Sequence, residues 1–149
     1  MKSTIKNLAM AIIVASITFS FTTVEGEKKE IKTQKSTVVW KGYKVTGSHQ
    51  GTIAIKSGFL TFKENKLIGG EFVVDMTTIV NTDQEGEYKG KLEGHLKSDD
   101  FFGVAKYPTA TLVFTSVEAT GKNAYKVIGD LTIKAKTNPI AFSISVYGN

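Results

Sequence analysis

From Thr37 onward, apolar and polar residues trade places at every second position, the period of a strand that keeps one face dry. In the opening run Val39, Tyr43 and Val45 fall on one face and Val38 and Trp40 on the other, which predicts a strand buried on part of both faces. Gly47 and Gly51 bracket Ser48-His49-Gln50, which reads as a polar turn. Ile53 and Ile55 then alternate with Thr52 and Lys56, Ser57-Gly58 turns the chain, and Leu60 and Phe62 carry the pattern to Glu64-Asn65-Lys66, a hairpin. Beyond a Gly69-Gly70 start where a sheet can coil or bulge, Phe72, Val74 and Met76 share one face and Glu71, Val73 and Asp75 the other. Leu112 and Phe114 oppose Thr111, Val113 and Thr115. Tyr125, Val127, Leu131 and Ile133 alternate with Lys126, Asp130, Thr132 and Lys134. After Thr137-Asn138-Pro139 a last strand sets Ile140, Phe142, Ile144 and Val146 against Ala141, Ser143 and Ser145.

The alternation is interrupted once, between Lys91 and Phe114. Leu92 and Leu96 are four apart, and Ser98 reads as the N-cap of a short turn through Asp99 and Asp100, so a brief helical insertion is expected there. Asn81 to Glu87, without an apolar anchor, reads as a mobile loop leading into it. Phe101 and Phe102 follow the insertion directly, and two adjacent phenylalanines are costly to leave wet, which makes them a plug. Tyr107-Pro108 returns the chain to an extended form. About seven strands joined by short turns predict an all-β antiparallel meander, which alternation alone fits to a sandwich or a barrel.

Several ordered segments settle on one resemblance. The run LKSDDFFGVAKYPTATLVF, the strand with Trp40, the GSHQGTI run from Gly47 to Ile53, Gly69-Gly70-Glu71-Phe72 with Val74-Asp75-Met76, and the GDLTIKAKTNPI run from Gly129 to Ile140 resemble the YceI-like proteins, the lipid- or polyisoprenoid-binding barrels of the bacterial envelope. The resemblance spans Ser36 to about Tyr147. It implies an antiparallel up-and-down β-barrel, lipocalin-like, with the ligand inside. Members of that family continue for further strands past Tyr147, so the chain is expected to be incomplete at its C-terminus, as a truncated member or a fragment. An unpaired last strand would then invite a homodimer or aggregation.

Composition narrows the chemistry. The 149 residues contain no Cys, which removes disulfides, thiolate metal sites, thiol catalysis and a lipid-modified cysteine. Every basic residue is Lys, so the bidentate fork favoured for phosphate and guanine is missing and no nucleic-acid partner is expected. Lys2 and Lys6 ahead of the apolar run from Leu8 to Ala15 have the layout of a secretory signal peptide, too short to be comfortable as a membrane span. The expected organisation is a signal peptide over residues 1–23, a charged solvated spacer over 24–35 and the barrel domain over 36–149. The mature chain is expected to be periplasmic or secreted, with no stable membrane span.

His49 and His95, with Asp75, Asp99, Asp100 and Asp130 as possible partners, have neither metal-ligand spacing nor a nucleophile elbow beside them. No catalytic residue, metal or cofactor is therefore expected. The expected ligand wall is Trp40, Phe72, Val74, Met76, Leu92, Leu96, Phe101, Phe102, Phe114, Leu131 and Phe142, holding a polyisoprenoid, quinone-like or fatty-acid-derived lipid. Lys97 or Lys106 would meet its head group at the mouth. On the order of ten buried methylenes would give roughly 8 kcal/mol before association costs. Two other readings fit the same residues: an envelope structural or interaction protein whose barrel is filled, and an enzyme using His49 or His95.

Overall fold

A computed structural model of the chain describes residues 25–147; the expected signal peptide lies outside them. Seven strands are present, β1 (Glu27–Glu30), β2 (Val38–Lys44), β3 (Gly47–Lys63), β4 (Lys66–Asn81), β5 (Thr109–Ala119), β6 (Ala124–Ile133) and β7 (Lys136–Ser145), with one α-helix, α1 (Gly86–Lys97). They form a single antiparallel sheet in the order β1-β3-β4-β5-β6-β7. β3 is long enough to carry two neighbours on one side: Glu27 to Glu30 pair with Phe62 to Phe59, and Val38 to Lys44 pair with Ile53 to Gly47. The sheet is open, because among the described residues no ladder joins β7 back to β1 or β2.

β3 runs unbroken through both stretches expected to turn. Ser48, His49 and Gln50 pair with Tyr43, Gly42 and Lys41, and the reversal falls instead at Val45-Thr46. Ser57-Gly58 stays in the ladder next to a register shift, a bulge that bends the strand without reversing it. The β3–β4 reversal is the two-residue link Glu64-Asn65, both at positive φ (50° and 63°), the backbone hand that matches the twist of the flanking strands. Part of the expected spacer, Glu27–Glu30, is β1. β1 is solvent-exposed along its length, yet its backbone groups pair with β3, which needs no apolar side chain.

Only one face of β2 is buried. Val39 and Tyr43 are 68% and 80% exposed, whereas Val38 and Trp40 pack on the core, because none of the described residues is layered over the outer face of this edge strand.

The helix begins twelve residues before the expected cap. Ser98 closes α1 rather than opening it: its N–H donates to Gly94 O (3.0 Å) and His95 O (3.1 Å), and its hydroxyl donates to His95 O (2.7 Å). Glu87 in the first turn and His95 and Lys97 in the last suit the helix dipole. The expected loop from Asn81 to Glu87 is correspondingly short, since Asn81 ends β4 fully buried and Gly86 starts the helix.

One departure from alternation positions the core. In β4, Thr52 faces Val80 while Ala54 faces Asp75, so residues 76–79 bulge outward from the ladder. Thr77 donates from N–H (3.0 Å) and Oγ1 (2.6 Å) to Asp75 Oδ1, Thr78 Oγ1 donates to Asp75 O (2.7 Å), and Ala54 N–H donates to Thr78 Oγ1 (2.8 Å). Side chains thus replace the missing ladder bonds. The bulge turns both Met76 and Ile79 inward, three positions apart.

The inner face carries two apolar clusters. The first contains buried Ile53, Met76, Ile79, Leu96, Val104 and Ala110, with Val38, Trp40, Val74, Leu92, Phe102 and Ile133 against it. The second contains Leu67, Tyr125 and Val127, flanked by Leu60, Phe62, Phe114, Val117, Phe142, Ile144 and Val146.

Candidate ligand site

Over the first cluster, the segment running from α1 to β5 does not close completely on the sheet. It leaves a cleft of about 210 Å³ lined by Trp40, Lys41, Gly42, Ile53, Ile79, Leu96, Phe101 and Phe102. The free edge of β2 forms one rim and the phenylalanine pair the other.

Trp40 owes its position to Gly51, its partner across the β2–β3 ladder. A Cβ on Gly51 would lie 2.7 Å from the indole and 1.8 Å from Val80 O, so only glycine lets the ring lie across β3. The indole Nε1–H then donates to Val80 O at 3.1 Å, which fixes the ring plane. Opposite it, Phe101 and Phe102 meet edge to face, centroids 4.6 Å apart, and His95 sits edge-on to Phe101 at 5.8 Å. Backbone bonds pin this connection: Phe102 N–H donates to Leu96 O (3.1 Å), Gly103 N–H to Ser98 O (2.7 Å) and Val104 N–H to Lys97 O (3.0 Å). From the β6–β7 turn, the Lys134 ammonium donates to the carbonyls of Asp99 (2.5 Å) and Phe101 (3.2 Å).

Among the described residues no helix lies above the second cluster. Phe114 lies between Phe72 (centroids 5.8 Å) and Phe142 (5.6 Å), an aromatic row running across β4, β5 and β7. Gly70 makes room for it, since a Cβ there would stand 2.8 Å from the Phe114 ring. At this end a groove of about 610 Å³ opens between β1 and the end of β7, lined by Lys29, Glu30, Ile31, Leu60, Phe62, Asn65, Asn123 and Val146.

The structure therefore divides the expected ligand wall in two. Trp40, Leu96, Phe101 and Phe102 line the cleft, with Met76, Val74 and Leu92 packed in the same cluster. Phe72, Phe114 and Phe142 stand together in the other half, and half-buried Leu131 pairs with Leu112 between the halves. Phe101 is 45% exposed, so it rims the cleft while Phe102 fills it. Sequence reasoning left out Ile53, Ile79, Lys41 and Gly42. Strand alternation groups Ile53 with Ile55 opposite Thr52 and Lys56, which is the signal for its inward face, and the Asp75-Met76-Thr77-Thr78 run is the signal for the bulge that brings Ile79 in. Of the two lysines expected at the mouth, Lys106 is engaged with Asp99 (3.3 Å) and Lys97 is half-buried, whereas Lys41 stands on the rim.

A polar junction holds β3, β4 and α1 together beside the cleft. Asn81 Nδ2 donates to Gln50 O (2.9 Å) and to Asp83 Oδ1 (2.5 Å), Asn81 N–H donates to Glu93 Oε1 (2.8 Å), and the Lys89 ammonium donates to Asn81 O. His49 Nδ1 stands 3.4 Å from Asp83 Oδ1, and Lys89 3.2 Å from Glu93. The Asn81 amide beside Asp83 lowers that carboxyl below its ordinary pKa, and the Asn81 N–H does the same for Glu93. Asp75 is lowered chiefly by the Thr77 hydroxyl. Each histidine thus has a structural neighbour, Asp83 for His49 and Phe101 for His95. Among the described residues no group of three His, Cys, Asp or Glu side chains is placed to hold a metal ion.

Comparison with known proteins agrees with this architecture. A family profile described as the YceI-like domain matches residues 29–149. A UPF0312 protein of Pseudomonas putida strain W619 is 33% identical over 98 residues, covering 66% of this chain and 49% of its own length. Another UPF0312 protein, from Shewanella denitrificans, is 31% identical over 91 residues, covering 61% of this chain and 46% of its own. The chain spans about half the length of these curated relatives. Among solved structures, BcnA of Burkholderia cenocepacia superposes with a TM-score of 0.66 at 24% identity, over 80% of this chain and 72% of that one, a likeness of fold.

Proposed function

The chain belongs to the YceI-like family, and on that premise we propose that it is an exported, non-enzymatic protein that holds the apolar part of a long-chain lipid, of isoprenoid, quinone-like or fatty-acid type, against the inner face of its sheet. The observation that carries this reading is the cleft: six of its eight lining residues are apolar or aromatic, and Lys41 is its only charged one. Ligand sites of this kind are mostly apolar with a few polar groups that orient the ligand. At about 210 Å³ the cleft takes one end of a hydrocarbon, a little more than the roughly 150 Å³ that admits a benzene ring in an apolar cavity. The rest of the chain would run along the half-exposed row of Phe72, Phe114 and Phe142. Among the described residues no helix is long and apolar enough to cross a membrane. Export rests on the signal-like residues 1–23, and removal of that segment would release the protein to the periplasm.

The reading is tested by extracting purified protein with organic solvent and identifying what is released by mass spectrometry. A co-purifying long-chain lipid is the expected result. The variant Leu96→Trp, which fills the cleft from its floor, should remain folded and lose most of its binding of a polyene fatty-acid fluorophore. A protein that releases nothing and leaves the fluorophore unbound would be a filled scaffold instead of a carrier.

A further inference from the structure

Charge is unevenly spread along this chain. Residues 31–63 contain Lys32, Lys35, Lys41, Lys44, Lys56 and Lys63 and no acid at all, whereas the rest of 25–149 has eleven lysines against fourteen acids, a net of −3. The structure folds this lysine-only stretch into β2, β3 and the turn before them, and it places Lys41 and Lys44 on the β2 arm of the β2–β3 hairpin.

The tip of the β2–β3 hairpin adds a second asymmetry. Val39, Lys41, Tyr43 and Val45 alternate onto the outer face, and the three that are not lysine are among the most exposed large apolar residues of the molecule: Val39 at 68%, Tyr43 at 80% and Val45 at 106%. Val45 occupies the turn itself. The Lys41 ammonium lies 5.3 Å from the Tyr43 ring centre. A fully exposed aliphatic tip, an amphipathic aromatic just behind it and cations beside that follow the order in which a bilayer changes from acyl chains to ring-sized interfacial groups to phosphates. Two acids of the polar junction beside the cleft are already engaged, Asp83 with Asn81 and His49, and Glu93 with Lys89 and the Asn81 N–H.

We infer that this hairpin tip is a docking element for an anionic phospholipid bilayer. Two features favour a membrane over other occupants. Nucleic acid would be met by arginine forks and stacking platforms on polar ground, and the chain has no Arg. A second copy pairing along the free edge of β2 would set Lys41 and Lys44 against lysines of the same strand, an arrangement that opposes edge association. The placement also has a use, which rests on the lipid reading above: Lys41 and Gly42 belong both to the hairpin and to the rim of the cleft, so docking would set the cleft mouth at the lipid surface.

The test is co-sedimentation of the mature protein with vesicles of phosphatidylcholine alone or mixed with phosphatidylglycerol. Pelleting is expected only with the anionic lipid and should weaken as salt is raised. Each interfacial lysine contributes about fivefold to partitioning, so the double variant Lys41→Gln/Lys44→Gln should partition about thirtyfold more weakly. Val45→Asp should lose binding at any salt. All three side chains are exposed, and circular dichroism verifies that the variants fold. Lys122→Gln/Lys126→Gln, at the distant β5–β6 turn, should bind like the parent.

Equal binding by the tip variants, or binding indifferent to phosphatidylglycerol, would overturn the inference. So would preferential capture by single-stranded DNA, or a tip that governs oligomeric state in lipid-free buffer. Lipid content after extraction separates this from the carrier reading: Val45→Asp and the single variant Lys44→Gln, both outside the cleft lining, should keep their co-purified lipid, and a parent that docks yet releases no lipid would sink the carrier alone.

Discussion

The two halves of the inner face are built from the same alternating strands and end in different states. Over the first, α1 and the following connection supply Leu92, Leu96, Phe102 and Val104 as a roof, and six residues are buried. Over the second there is only the sheet's own curvature, and three residues are buried while Phe114, Phe142 and Ile144 stay half-exposed. Alternation chooses which residues face inward, but it does not bury them; a second layer does. The cleft lies where roof and wall fail to meet, which ties the candidate site to the connection and not to the strands alone.

The sharpest way to break the contrast is at Gly51. Gly51→Ala forces its new methyl into Val80 O and the Trp40 ring, and one of them, or the strand, must move. A backbone oxygen at 1.8 Å cannot yield as a side chain does, so the cost should be about 3 kcal/mol or more in urea unfolding. Trp40 fluorescence should shift to the red as the indole loses its seat. Near-parental stability would mean that the ring is not held across β3 and that this rim of the cleft is drawn wrongly.

The second comparison sets one isoleucine from each half side by side. Ile79 is 1% exposed beneath the roof, so Ile79→Ala should lose about 2–5 kcal/mol. Ile144→Ala, in half-exposed surroundings, should lose roughly 1–2 kcal/mol, because part of its surface already meets water. Equal losses would show that the second half is covered in solution, and the distinction drawn between the two halves would collapse.

How much of this was legible follows the same division. Inward faces from Phe72 to Met76, from Tyr125 to Ile133 and from Ile140 to Val146 could be read, because there the local period and the ladder agree; the break expected at Thr137-Asn138-Pro139 instead lies inside β7, and the reversal is Lys134-Ala135, both at positive φ. The reversal at Val45-Thr46 could not, since neither residue is a turn former and Gly47, Gly51 and Ser57-Gly58 advertised turns that the ladder uses for close approach and bending. The helix start was missed because Gly86, Gly90 and Gly94 dilute its signal; its helical state is set by packing of Leu92 and Leu96 on β4. Phe101 and Phe102 stood out by their adjacency, which does not tell that Phe102 packs on the core while Phe101 stays 45% exposed. Ile79 was not legible, because the bulge that admits it is held by the Thr78 hydroxyl donating to the Asp75 carbonyl and by Thr77 donating to the Asp75 carboxylate, interactions two and three residues apart that strand alternation does not reveal. The partition of the ligand wall into two groups needed the register of the whole sheet.

The smallest expected effect separates the halves by acidity. Asp75, Asp83 and Glu93 all lie on the roofed side, and each is held below its ordinary carboxyl value of 3.8 or 4.5 by hydrogen bonds it accepts from Thr77 or Asn81. A carboxyl that is more acidic in the folded protein than in the unfolded chain stabilises the fold fully above its unfolded pKa, and that contribution disappears as pH falls through the lowered folded value. Asp83 is exposed and Asp75 and Glu93 are half-buried, so all three still meet water and the loss is modest and solvent-screened. Acidification below about pH 4 should therefore loosen the bulge and the Asn81 junction while the β5–β6–β7 ladder, joined through its backbone, holds. Hydrogen exchange resolves this directly: after correction for intrinsic rates, the amides of Asn81 and Met76, which donate to Glu93 Oε1 and Pro108 O, should lose protection before that of Val127. If the open half loses protection first, the roof is not held by these carboxylates, and packing of Leu96 and Val104 alone keeps it in place.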